Sequence, residues 1–377
     1  MWKKFTQYLK NNNWLDLTTI FTVLTIKTLI LVFAFHSYQV ISNNPMEDWQ
    51  TYLKFWSRWD AESYLWIAEH GYTAVGEKRF LLVFFPLYPL LIKLVELVTG
   101  NYKLSAFIVS GIASIVIGLL FRLLIKLDFS EKTAQQAILF LFIFPTSYFL
   151  HIPYTESLFI ALVIGCFWAA RTEKWIVAGI LGFLACLTRI NGIILFPALL
   201  FEIWEQYNNT KKVNWVWLTV ILIPLGCITY LLLNFGITGN AFMFLEYQRQ
   251  NWGKYLRLPF DGLWGKFQTI LTQNPENSNM VGFQELLFIA IGFFAIVLGW
   301  KYLRNSYKVW MVVNWLLFIS TSFILSVPRY TLTMFPIFIL MALVARQDWR
   351  LNVLFTFWSI LYLGLFSSLF FWGHWAF

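Results

Sequence analysis

Charge is what this sequence lacks most. Asp, Glu, Lys and Arg together make up 12% of its 377 residues, about half the share found in soluble domains. With 59% of the chain hydrophobic, too little polar surface remains to cover a water-soluble fold, whereas lipid solvates such a surface directly. Cysteine is nearly absent. Cys166, Cys186 and Cys227 all lie inside apolar runs, with no C-x-x-C pair, which argues against a disulfide framework and a cysteine metal site. The histidines show no helical ligand spacing, so no metal and no cofactor is expected. A Walker loop, a G-x-G-x-x-G following a strand and a G-x-S-x-G elbow are also missing. That removes nucleotide hydrolysis and serine-esterase chemistry. An enzyme built this way, working outside the cell, needs a donor that is already activated and already in the membrane.

What the chain has in excess is apolar length and aromatic area. Aromatic residues reach 20%, with 39 Phe and 20 Trp, and Trp and Tyr favour membrane interfaces, where one edge is apolar and the other wet. Twelve apolar segments lie between residues 14 and 373. The first is too long for a signal-peptide core and lacks a small-x-small cleavage site, so it reads as a retained helix. The expected fold is all-α, a polytopic transmembrane helical bundle forming a single membrane domain over 1–377. Residues 1–206 carry most of the polar constellation, and 207–377 close around it, with a polar stretch at 237–285.

The formal net charge of +9 resides in short basic clusters between apolar runs. That pattern marks cytoplasmic loops under the positive-inside rule rather than a nucleic-acid surface. Membrane lipids, or a phosphorylated lipid substrate, are the partners it implies. Lys3, Lys4 and Lys10 put the N-terminus inside, which places the loop 42–80 outside. If segment 81–98 crossed fully, Arg122, Lys126 and Lys132 would land outside, against the rule. That segment also holds Pro86, Pro89, Lys93 and Glu96, so it reads as an interfacial or dipping element. Arg171/Lys174, Lys211/Lys212, Lys301/Arg304/Lys308 and Arg346/Arg350 then all fall inside. About eleven spans result, plus interfacial helices in the first outer loop. The polar groups of 42–80, His151–Glu156, Thr188–Gly192, 237–285 and Val327–Tyr330 gather on the outer face.

Those outer residues are the candidates for chemistry, because ionisable groups at membrane helix ends are costly and functional by default. Arg58, Asp60, Glu62, Glu69 and His70 crowd one loop segment read as helical from Ala61 to His70. Asp60 either caps that helix or serves as a general base for an incoming hydroxyl. Glu156 opens an apolar run, where a capping role is the plain alternative. Arg189, followed by Asn191 and Gly192, interrupts two apolar stretches. It either pairs with Glu156 or recognises a phosphate through its guanidinium fork. Arg329, between Pro328 and Tyr330, makes the same case. His151 and His70 are single histidines, weak as metal ligands.

At this point the motifs resemble a family. Arg58-Trp59-Asp60-Ala61-Glu62, Ile67-Ala68-Glu69-His70-Gly71-Tyr72 and Phe84-Phe85-Pro86-Leu87-Tyr88-Pro89 are similar to the signature of the PIG-V family, the second mannosyltransferase of GPI-anchor assembly. Tyr154-Thr155-Glu156-Ser157-Leu158-Phe159 and Thr188-Arg189-Ile190-Asn191-Gly192 resemble its further motifs in the same order. The resemblance covers about residues 50–200 and is weak beyond, apart from Pro328-Arg329-Tyr330. It implies a GT-C type glycosyltransferase that takes sugar from a polyprenyl-phosphate carrier and gives it to a lipid or glycan acceptor. Asp60 matches the catalytic acidic residue of the first outer loop, with Glu62 beside it. Arg58, Trp59, Glu69, His70, Tyr88, His151, Glu156, Arg189, Asn191, Arg329 and Tyr330 become candidate substrate contacts. A bacterial plasma membrane, with the site facing outside, is the expected location. The competing classes are a lipid or glycan flippase, which predicts inverted repeats that the sequence does not display, and a noncatalytic subunit.

Overall fold

The computed structural model describes residues 15–377 apart from 44, 46 and 47; Lys3, Lys4 and Lys10 lie outside the described residues. The chain is all-helical. Among the described residues the one strand-like feature is an isolated antiparallel bridge between Leu256 and Thr321.

Among the described residues five helical runs are long and apolar enough to cross a membrane: Leu17–Ser42, Tyr102–Ile125, Trp215–Thr238, Pro275–Tyr302 and Trp349–Trp372. At 1.5 Å per residue, even 24 residues reach ~36 Å, more than the ~30 Å hydrocarbon core. A bent pair, Glu77–Val83 with Leu87–Thr99, makes a sixth if counted as one span. Five or six full-length spans stand against the eleven expected. The difference lies in helices such as Trp175–Cys186 and Pro336–Gln347, each 12 residues, which fall short of the ~20 that a perpendicular crossing takes. The apolar sequence is interrupted there by tight breaks rather than by long loops.

Local chemistry explains where the elements start and bend. The Asp16 carboxylate accepts from the Thr19 N–H at 3.1 Å and caps Leu17–Ser42; Asn101 accepts from the Leu104 N–H at 3.0 Å and caps Tyr102–Ile125. The chain through segment 81–98 is bent by 106° between Glu77–Val83 and Leu87–Thr99. Pro86 stands at the N-cap of the second arm, where its missing N–H leaves no helical bond unmade. Outside bonds lock the bend: the Tyr72 hydroxyl donates to the Phe84 carbonyl at 2.6 Å, and the Leu87 N–H donates to Leu187 O at 3.0 Å.

The ion pairs sort the helix ends into two groups. At one end Arg122 reaches Glu131 at 2.6 Å and Asp16 at 3.5 Å, Lys126 also meets Glu131, and Arg171 clasps Asp128. Arg304 bonds Glu202 at 2.9 Å there, and Arg346 bonds Ser130 at 3.0 Å. The scattered basic clusters of the sequence thus converge on one rim. At the opposite end Trp49, Gln50 and Leu53 share a cleft with Gly100, Asn101, Tyr102 and Lys103. Leu17–Ser42 therefore runs away from the basic rim and Tyr102–Ile125 runs back. Everything between them, segment 81–98 included, starts and finishes at the far end.

Packing follows the rules of lipid-embedded helices, in which small residues let backbones approach. A Cβ on Gly179 would collide with the Thr219 carbonyl, and one on Gly226 with that of Phe183, so Trp175–Cys186 and the helix after Trp215 touch backbone to backbone. Phe21, Leu29 and Phe33 of Leu17–Ser42 remain exposed, a surface suited to lipid. At the end away from the basic rim, Trp56, Tyr148, Phe149, Phe370 and Phe371 form a tight aromatic cluster.

In a variant lacking the three native cysteines, single cysteines at Glu77 and Lys103 are expected to react from one side of sealed vesicles. One at Lys132 reacts from the other. Labelling of 77 and 103 from opposite sides rejects the fold-back of 81–98.

Candidate active site

Asp60 is the first residue of the helix Asp60–His70. Its carboxylate caps nothing; it accepts from Arg329 Nη1 at 2.9 Å. The residue before it sets that direction. Trp59 has φ 51° and ψ −117°, a region a bulky side chain adopts only at a cost of about 1–3 kcal/mol. The surroundings over-determine it. The Trp59 ring packs on Phe370 at 4.8 Å and Trp375 at 5.7 Å. The Arg58 carbonyl accepts from the Tyr154 hydroxyl at 3.1 Å, while its guanidinium donates to the Phe55 and Phe371 carbonyls.

Glu156 opens the helix Glu156–Arg171 and is fully buried. Its Oε1 accepts from Arg189 Nη1 and lies 3.4 Å from Arg329 Nε. Thr155 accepts from the same Arg189 nitrogen at 3.0 Å, and the Tyr64 hydroxyl closes on Thr155 at 3.5 Å. Arg189 reaches this spot because the chain doubles back just after Trp175–Cys186. Gly192 permits the reversal: a Cβ there would lie 2.5 Å from Cys186 N and 2.6 Å from Ala185 C.

Arg329 sits in the short helix Val327–Thr331, and a buried carboxylate fixes that turn. Glu285 accepts from the Ser326 N–H at 2.6 Å and the Val327 N–H at 2.8 Å, which holds Ser326 at φ 69°. Thr146 adds a bond to the Pro328 carbonyl at 2.9 Å. Above this frame Arg329 lies against the rings of Phe149, Tyr154 and Tyr330. Burial works against its charge, but Asp60 and Glu156 outweigh that and push its pKa up.

The result is a chain of alternating charge, Asp60–Arg329–Glu156–Arg189, at the end of the bundle away from the basic rim. Asp60 is 33% exposed and Glu156 0%, so one carboxylate faces an incoming molecule and the other is sealed. Arg189 spends Nη1 on Glu156 and Thr155; its other N–H groups have no hydrogen-bond partner among the described residues. Asp60, Glu156, Arg189, Arg329 and Tyr330 thus come together as candidates.

The other candidates lie apart or serve the frame. Asn191 donates to Asn314 at 2.9 Å and ties the break to the helix Asn305–Ile319. Glu62 is exposed on the Asp60 helix, close enough for its charge to act on Arg58. Glu69 and His70 are exposed at the far end of that helix, ~14 Å along its axis, with His70 stacked on Trp66. Tyr88 is buried and bonded to Ser110 at 2.8 Å. His151 is buried against Phe142, with neither ring nitrogen hydrogen-bonded among the described residues. No group of three His, Cys, Asp or Glu suited to a metal ion occurs among the described residues. Sequence reasoning missed Thr155 and Glu285. A lone carboxylate at the start of the apolar run 286–302 was the available signal for the second.

The family model described as "Mannosyltransferase (PIG-V)" matches residues 17–248, more than half of the chain. Among curated proteins, "GPI alpha-1,6-mannosyltransferase 2" of Mus musculus is 28% identical over 192 residues, covering 47% of this chain and 38% of the mouse protein. The match therefore spans well under two thirds of that relative. No solved structure matches. Glu285 and Arg329 lie beyond the matched region, whereas Asp60, Glu156 and Arg189 lie within it.

Glu285→Ala leaves two buried backbone N–H groups without acceptors, at about 1–3 kcal/mol each. A lower thermal midpoint in detergent is expected, with Glu285→Gln, which keeps one acceptor, in between. A midpoint equal to that of the unaltered protein removes the clamp.

Proposed function

The chain belongs to the PIG-V mannosyltransferase family, and on that footing we propose that it is a GT-C type glycosyltransferase using a polyprenyl-phosphate-linked mannose donor. The acceptor is a lipid or glycan hydroxyl. The observation that carries this reading is the part-exposed Asp60 carboxylate, held by a buried arginine at the bundle end opposite the basic rim. If that rim is cytoplasmic, as the positive-inside rule has it, the site faces outward from a bacterial plasma membrane. We also propose that the shorter helices cross as well, giving eleven passes. The alternation of helix ends between basic rim and site end supports the count.

The reaction is a single displacement at the sugar's anomeric carbon. The acceptor oxygen forms the new bond to that carbon while the bond to the carrier phosphate oxygen breaks, its electron pair staying with the phosphate. Asp60 takes the acceptor's proton. Arg329 holds Asp60 Oδ2 at 2.9 Å, which fixes the carboxylate and leaves Oδ1 to face the hydroxyl. Glu62, exposed on the same helix, helps place the acceptor. Arg189 turns its unused N–H groups toward the departing phosphate, whose growing charge they stabilise. Phosphate leaves readily without protonation, so no general acid is needed.

Purified protein is expected to transfer mannose from polyprenyl-phosphate-mannose to a hydroxyl acceptor, with the product read by mass. Asp60→Asn lowers the rate by about 10²–10⁴, the usual worth of a general base, and leaves carrier binding intact. Arg189→Lys weakens the apparent donor affinity, since an ammonium does not reproduce the fork. Turnover of Asp60→Asn at the unaltered rate would falsify the role given to Asp60.

A further inference from the structure

The stretch 237–285 brings to the site one cation that the four-charge chain does not use. The helix Met243–Trp252 ends at Gly253, with φ 61°. The residues that follow are strapped to the turn preceding Arg329. The Tyr255 N–H donates to Ser322 Oγ at 3.0 Å, the Ser322 N–H to Tyr255 O at 2.8 Å, and the Arg257 N–H to Ser320 O at 2.9 Å. On one side Trp252 meets Phe84 edge to face at 6.1 Å, and Phe84 packs on Tyr64 above Thr155. On the other side Lys254 Nζ lies 5.3 Å from the centre of the Tyr330 ring. Residues 252–254 therefore bridge the two walls of the site.

The charge balance gives this lysine its meaning. Asp60 and Glu156 are matched by Arg329 and Arg189, so the chain of four closes near neutral. Glu285, the other carboxylate whose charge acts on Lys254, already binds two backbone N–H groups and also faces Lys266. Lys254 makes no ion pair among the described residues. It stands with Arg189 and Arg329 around a single tyrosine ring.

We propose that Lys254 is a ligand of the donor's phosphate, supplying the one positive charge that the balanced network cannot give to a phosphodiester anion. This rests on the polyprenyl-phosphate donor proposed above. A phosphodiester carries one negative charge, and cleavage of its bond to the sugar adds a second on the leaving oxygen. Lys254 meets the first in the bound donor, and Arg189 beside it meets the second as it develops. The strap also places Lys254 on the C-terminal wall, opposite the Asp60 helix, so acceptor and donor approach from different sides.

Binding of a short-chain polyprenyl phosphate to the full-length protein in detergent, followed by tryptophan quenching, tests this. Lys254→Gln is expected to weaken binding about tenfold, the worth of one charge-assisted hydrogen bond; Lys254→Arg stays close to the unaltered protein. Arg257→Gln removes the same charge from a residue exposed beside Tyr255 and leaves the affinity unchanged. Phosphatidylglycerol in a parallel series shows no dependence on residue 254, which separates the carrier from a bulk lipid headgroup. Equal affinity of Lys254→Gln and unaltered protein overturns this inference alone, as does an equal loss in Arg257→Gln or with phosphatidylglycerol. Failure of the unaltered protein to bind polyprenyl phosphate overturns it together with the donor assignment.

Discussion

The structure depends on one buried run of alternating charge. Asp60, Arg329, Glu156 and Arg189 come from four separate segments, the first two 269 residues apart in sequence. In an apolar bundle each charge alone would be costly to desolvate, and an ion pair offsets that cost only when its remaining donors and acceptors are also met. Here that condition is met in part: Glu156 stands between two guanidinium groups, Thr155 takes a further N–H of Arg189 and Asp60 closes the other end, while Glu156 Oε2 and Arg329 Nε have no hydrogen-bond partner among the described residues. No member can leave without stranding a neighbour. The start of the Asp60 helix, the start of the Glu156 helix, the break at 187–194 and the Arg329 turn are therefore positioned as one object.

This constraint explains why the helices stop where they do. Non-helical backbone at membrane depth is tolerated only where it is buried in protein or lines a polar cavity. The bend at Phe84–Pro86, the irregular 144–155 segment, the 187–194 break and the turn at 320–327 all occur at the site end. Each frees backbone groups that the site then binds: Leu187 O receives the Leu87 N–H, Pro328 O receives Thr146, and the Ser326 and Val327 N–H groups find Glu285. Such breaks also shorten the helices beside them. That is why apolar runs counted from hydropathy alone exceed the number of full-length spans.

Much of this was legible in the sequence because it is written in composition and in local rules. Scarce charge and long apolar runs specify a helical membrane bundle, and Pro86 with Pro89 marks the segment that bends. An aspartate, a glutamate and two arginines at apolar boundaries stand out because nothing local accounts for their cost. What local sequence does not carry concerns residues whose partners lie far away in the chain. The guanidinium of Arg58, a candidate substrate contact, is held by the Phe371 carbonyl. Tyr88, another candidate, is bonded to Ser110. Glu285 shows in the sequence only as a lone carboxylate before an apolar run, and Lys254 not at all, since their meaning comes from the Ser326–Val327 backbone and the Tyr330 ring. Local sequence carries the existence of a polar group, and tertiary contact decides its use.

The unequal burial of the two carboxylates bears on the chemistry itself. An enzyme that cleaves a glycosidic bond with an alcohol leaving group needs two carboxyl groups reaching the sugar, one to protonate the departing oxygen. Asp60 can reach a substrate, but Glu156 is sealed beneath two arginines with no exposed surface. One carboxylate in the charge network reaching the substrate suffices if the leaving group departs as a stable anion. The cations grouped around Tyr330 then take the place that a proton donor would otherwise fill. Asp60 stands as the proposed proton acceptor with Arg329 bound to it, while Lys254 lies against Tyr330. That arrangement supports the transfer proposed above, from a phosphate-linked sugar to a hydroxyl.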